Sequence, residues 1–96
     1  MKGEIFEKVL SAVSHVTEIP AQKILSPDRT NEVVDARSIL VYILFEEGLY
    51  PSQIAYLLQH TASNIRYLIS SFPSRLSSRK MLARNLQIIR KNITNN

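Results

Sequence analysis

"IAYLLQHTASNIRYLI", residues 54–69, decides the fold. Two short apolar-periodic segments flank a polar run that carries neither Pro nor Gly. Ile54, Leu57 and Leu58 share the inner side of the first segment. Ile65, Leu68, Ile69 and, just beyond, Phe72 share the inner side of the second. Ala55 is small and sits where two crossing helices approach most closely. Ile54 and Ile65 are eleven residues apart, and Ala55 and Ile65 ten. That spacing fits two short helices meeting at a wide angle across a tight turn, a helix-turn-helix over about residues 51–72. Gln59 stands where such a unit usually carries a Gly in the left-handed conformation. A residue with a Cβ there costs roughly 1 kcal/mol and is tolerated.

The spacing also assigns an outer side. Thr61, Ala62, Ser63, Arg66, Tyr67 and Ser70 are expected to face outward, with Asn64 at the margin. A second helix of this kind lies in the major groove of double-stranded DNA, its first residues against base edges. The residue types suit that use. Arg takes guanine bidentately, Thr and Ala methyls meet the thymine methyl, and Ser and Asn exchange hydrogen bonds with base or phosphate. No carboxylate on this segment would repel the backbone. Phosphate contacts need cations or helix N-termini. The candidates are Ser52, at the start of its helix, with His60, Arg66, Arg75, Arg79 and Lys80. Binding of this kind weakens steeply with salt.

The charge distribution agrees. The chain has 96 residues, one domain (1–96) by length, with 45% apolar residues and a net charge of +4. All eight acids precede residue 48, against five Lys and Arg, a balance of −3. From Gly48 onward there are seven Lys or Arg and no acid. Such asymmetry points to a polyanionic partner. There is no cysteine, hence no disulfide frame or thiolate metal site. The longest apolar run, Ile39 to Phe45, is too short to span a membrane. The N-terminal stretch has charges inside its apolar pattern and does not read as a secretory signal. A cytoplasmic protein with no membrane partner is the expectation.

The rest of the chain reads as helical, an all-α bundle of five to six helices. Ile5, Phe6, Val9, Leu10, Val13 and Val16 predict a first amphipathic helix from about Gly3 to Thr17. Pro20 opens a short helical turn through Leu25, closed by Ser26-Pro27-Asp28. Asn31 is expected to cap a long helix that runs to Glu47 and stops at Gly48. Its "ILVYILF" is apolar all round, which makes it the central buried helix. Pro51 starts the first helix of the helix-turn-helix, and Pro73 is expected to end the second. A last helix follows from Ser74 to about Ile93, with Leu82, Leu86, Ile89 and Ile93 inward and Lys80, Arg84, Gln87 and Lys91 outward.

This order of elements resembles the C-terminal DNA-binding domain of the DnaA replication initiator, a Trp-repressor-like helix-turn-helix fold. The resemblance rests on "PDRTNEVVDARSILVYIL", with Val34-Asp35-Ala36-Arg37 opening a long apolar helix, and covers about residues 7–90. It is specific in architecture and weak in residue identity. It implies that Arg29, Thr30 and Asn31 reach an adjacent minor groove or phosphate, and that Arg37 supports their loop. The family opens its recognition helix with Arg-Asp-His-Thr-Thr. Here the run is His60-Thr61-Ala62-Ser63-Asn64, without the Asp, so the family's target sequence does not carry over. An ATPase module is not expected, since two glycines make no phosphate-cradling loop.

Other function classes fare less well. His15 and His60, the two histidines, have no carboxylate at ligand spacing, and no Ser sits in a nucleophile elbow. Neither enzyme, metal, cofactor nor small-molecule substrate is expected. A protein-interaction module is the alternative, using a patch of Tyr42, Phe45, Leu49 and Tyr50. RNA lacks a stacking platform beyond Tyr67. The reading extends to transcription, replication or a mobile element alike, and to a monomer or a weak dimer.

Overall fold

Every residue from Ala36 to Val41 is buried, over more than a full helical turn. Only a helix enclosed on all sides permits that. A computed structural model describes residues 2–94, which form six helices and no strand among the described residues. They are α1 (Lys2–Thr17), α2 (Ala21–Leu25), α3 (Asn31–Glu46), α4 (Pro51–Leu58), α5 (Ala62–Ser78) and α6 (Lys80–Thr94). The enclosed helix is α3, which packs against each of the other five. Its β-branched residues do not make it a strand, because helices close over every side of it.

The outer helices each bury one stripe. Phe6, Val9, Leu10 and Val13 of α1 and Leu82, Leu86 and Ile89 of α6 are all buried, at the spacing expected of a 3.6-residue period. Each such apolar side chain contributes about 1.5–3 kcal/mol on burial. Ile24 of the short α2 is fully buried and ties that turn to the core. At the end of α3, Gly48 takes φ 99°. The N–H of Gly48 then reaches the Phe45 carbonyl and that of Leu49 the Leu44 carbonyl, closing the helix in a Schellman motif. No helix among the described residues is long and apolar enough to cross a membrane.

Two expected boundaries move. Thr30, not Asn31, is the capping residue of α3, and Asn31 is the first residue inside it. Pro73 does not end the second helix of the helix-turn-helix: α5 passes through it to Ser78. Residues 74–78, expected to open the last helix, therefore belong to α5, and α6 starts after a single extended residue, Arg79. An internal Pro costs about 3 kcal/mol, and packing on both sides of it offsets that. Phe72 is fully buried and stacks on Tyr42 of α3 with ring centroids 4.4 Å apart. Burial of such a ring is worth about 1.5–3 kcal/mol and the ring pair about 0.5–1.5 more. Leu76 packs on the core one turn later, and Arg75 holds Asp35 of α3.

Candidate nucleic-acid interface

The two helices of the motif are joined as the spacing requires. Ile54, Ala55 and Leu58 of α4 and Ile65 and Leu68 of α5 are buried together. The Gln53 carboxamide oxygen accepts from the Tyr50 N–H at 2.8 Å and caps the start of α4. Gln59 ends it at φ 59°, ψ 43°, the left-handed conformation. The His60 N–H reaches the Ala55 carbonyl at 3.0 Å, and the Gln59 N–H the Tyr56 carbonyl at 3.3 Å. This is the same closing motif that Gly48 makes, here built around a Gln. Thr61 then caps α5, its Oγ1 accepting from the Asn64 N–H at 3.1 Å, a bond worth ~1 kcal/mol.

His60 connects this turn to another part of the chain. Its Nε2 lies 3.0 Å from the Leu25 carbonyl, and its Nδ1 lies 3.1 Å from Asn64 Nδ2. A carbonyl only accepts and an amide NH₂ only donates. With this arrangement the ring donates from Nε2 to Leu25 and accepts at Nδ1 from Asn64. Both ring nitrogens are engaged, and Asn64 is turned inward.

A second clamp holds the loop between α2 and α3. Arg37 is 4% exposed. Its Nε donates to the Ile24 carbonyl at 2.7 Å, and its Nη2 to the carbonyls of Ser26 and Asp28. Burial lowers the pKa of this guanidinium below its usual value, and the charge of Asp28 offsets part of that lowering. Asp28 Oδ1 accepts from both the N–H and the hydroxyl of Thr30, each at 2.8 Å. Those two bonds, with Lys23 3.3 Å away, hold the Asp28 carboxyl at a pKa of about 2.

Between this loop and the start of α5 lies an open groove of about 990 Å³. Arg29 lines it from the loop; Thr61, Asn64 and Tyr67 line it from α5. Its lining contains no carboxylate. From Tyr67 on its rim outward, Ser63, Arg66, Tyr67 and Ser70 form an exposed stripe on α5, Tyr67 being 61% exposed. The Arg66 side chain has no hydrogen bond or ion pair among the described residues. Ser70 is exposed, and its hydroxyl donates back to the Tyr67 carbonyl at 3.1 Å.

The remaining candidates divide. Thr30 and Asn31 are exposed beside Arg29, with the Thr30 hydroxyl bound to Asp28. Ser52 is exposed in the first turn of α4. Ala62 is half-buried against the core rather than outward, and His60 is half-buried rather than free for phosphate. Arg37 donates to the Ile24 carbonyl of α2 and to the loop carbonyls of Ser26 and Asp28, so its place is beneath the loop. Arg75 and Arg79, expected as phosphate contacts, both face Asp35 on α3, at 2.9 and 2.5 Å. Arg75 lies half a helical turn around α5 from Arg66, and Arg79 lies beyond the end of that helix.

Two exposed residues escaped the sequence reading. Tyr56 is 83% exposed beside Ser52 on the outer side of α4, and Gln59 edges the groove. Position 56 lies outside the inward set of Ile54, Leu57 and Leu58, which was signal enough to find it. Of the aromatic patch, Phe45 and Tyr50 are exposed, while Leu49 is buried and Tyr42 is stacked on Phe72. Compared with known proteins, the chain matches no family model and no curated protein sequence.

Proposed function

We propose that this chain binds double-stranded DNA with sequence preference, as a small cytoplasmic regulator of transcription or replication. One observation carries the reading. The exposed stripe Ser63, Arg66, Tyr67 and Ser70 stands on the second helix of a helix-turn-helix, with an unpaired guanidinium at its centre. A carboxylate-free groove connects this stripe to Arg29. In the reading, Arg66 and Ser63 meet base edges in the major groove. Thr61 and Ser52 sit at helix N-termini, where backbone N–H groups favour phosphate. Arg29, Thr30 and Asn31 meet the neighbouring backbone or minor groove. The element order resembling the DnaA C-terminal domain supports the same docking, with a different target. No catalytic role is proposed.

Selection of duplexes from a random pool tests this. Enrichment of a short common site, lost in Arg66→Ala, supports the reading. An enriched pool indistinguishable from the input overturns it. A second reading, a protein-interaction module, draws on exposed Phe45 and Tyr50 beside Glu46 and Glu47. It is favoured if substitution of Phe45 and Tyr50, and not of Arg66, abolishes the chain's binding to its partner.

A further inference from the structure

The fold sorts the seven Lys and Arg of the acid-free half into two groups. Arg75 and Arg79 share Asp35, and Arg90 grips both oxygens of Glu46 at 2.8 Å. Both acids come from α3, in the other half of the chain. Arg66, Lys80, Arg84 and Lys91 are exposed and have no ionic partner among the described residues. Three of these four stand on α6, at spacings that place them with Gln87 in one stripe. That stripe lies opposite Leu82, Leu86 and Ile89, which are buried. Neither α5 nor α6 contains an acid.

We propose that the outer face of α6 is a second contact surface for nucleic-acid phosphate, independent of base reading by α5. The proposal rests on the duplex-binding reading above. No residue of α6 lines the groove, so this surface meets backbone outside the base-reading site. The stripe from Lys80 to Lys91 spans about 16 Å at the helical rise. At about 3.4 Å per step, roughly five phosphates of one strand lie within that length. An anionic lipid surface fits less well. A helix in a membrane interface sinks its apolar face among the acyl chains, and the apolar face of α6 is buried against α1, α3 and α5. Only Met81 and Ile88 are exposed beside the cations.

The experiment compares the whole chain with K80Q/R84Q/K91Q, on the selected duplex and on a scrambled one, over a range of salt. Each phosphate contact adds about 0.9 to the slope of log affinity against log salt. The triple variant is expected to have a slope shallower by about 2.7 on both duplexes, with the ratio between them unchanged. K80R/K91R is expected to keep the original slope. Each single Gln variant, expected to lose about 0.9, serves if the triple variant does not fold. An unchanged slope in the Gln variants overturns the proposal. So does loss of capture by anionic vesicles with DNA binding intact, which would assign the stripe to lipid. If the unaltered chain binds neither duplex, the reading of α5 falls as well. If it binds and only the slope prediction fails, the reading of α5 stands.

Discussion

The imidazole of His60 donates from Nε2 to the carbonyl of Leu25, 3.0 Å away and 35 residues earlier in the chain. Through it, the turn of the helix-turn-helix is joined to the end of α2. Its other nitrogen holds Asn64 on the first turn of α5. The loop that carries Arg29 is thereby fixed relative to the helix that carries Arg66.

His60 is accordingly a positioning residue. His60→Ala removes two hydrogen bonds, each worth about 0.5–1.5 kcal/mol. Denaturant unfolding should show a loss of about 1–3 kcal/mol, and the selected duplex should lose more affinity than a scrambled one. An unchanged denaturation midpoint would mean that the bridge to Leu25 does not hold the turn.

Asp28 gives the loop an acid-sensitive element. Hydrogen bonds from Thr30 hold its carboxyl at about 2, below the ordinary 3.8. A depressed carboxyl stabilises the fold above its ordinary value and loses that effect as pH falls through the folded value. The stability advantage of the wild-type chain over Asp28→Asn should therefore be full above about pH 4 and shrink towards pH 2. Melting both proteins across that window checks it, and a constant difference would contradict the assignment.

Gln59 is the strained residue of the motif. Gly at φ 59° carries no Cβ penalty, so Gln59→Gly should stabilise the chain by up to ~1 kcal/mol. Gln59→Val puts a branched side chain into the same conformation and should destabilise it by ~1 kcal/mol or more. Equal melting temperatures for the two variants would contradict a left-handed residue at this turn.

Ile65 and Arg66 are neighbours with opposite expected behaviour. Ile65 is fully buried, and Ile65→Ala should cost about 2–5 kcal/mol of stability. Arg66 is exposed, and Arg66→Ala should change stability by no more than about 0.5 kcal/mol. It should instead weaken binding to the selected site by about 1–3 kcal/mol and relax preference at one base position. Equal losses on selected and scrambled duplexes would make Arg66 a phosphate contact only.

Much of the fold was legible because it follows from local periodicity. The spacing of Ile54, Ala55, Leu58, Ile65 and Leu68 set the helix-turn-helix and its left-handed Gln59, and the all-apolar run set the central helix. Three features were not legible, each for a long-range reason. Pro73 reads locally as a stop, but Phe72 on Tyr42 and Arg75 on Asp35 hold the helix together from outside it. Arg75 and Arg79 read as free cations because Asp35 is 40 and 44 residues away in sequence. His60 reads as a phosphate contact and Asn64 as marginal until Leu25, distant in the chain, is brought to the ring.

The central claim is that packing of Ile54, Ala55 and Ile65 presents the Thr61–Ser70 side of α5 to a duplex. Titrating the selected duplex into isotopically labelled protein while following each backbone amide tests it most directly. The expected result is that signals of Ser52, Arg29 and residues 61–70 shift, while those of Phe45 to Tyr50 stay in place. Shifts confined to Phe45–Tyr50, or no shifts at all, would contradict it.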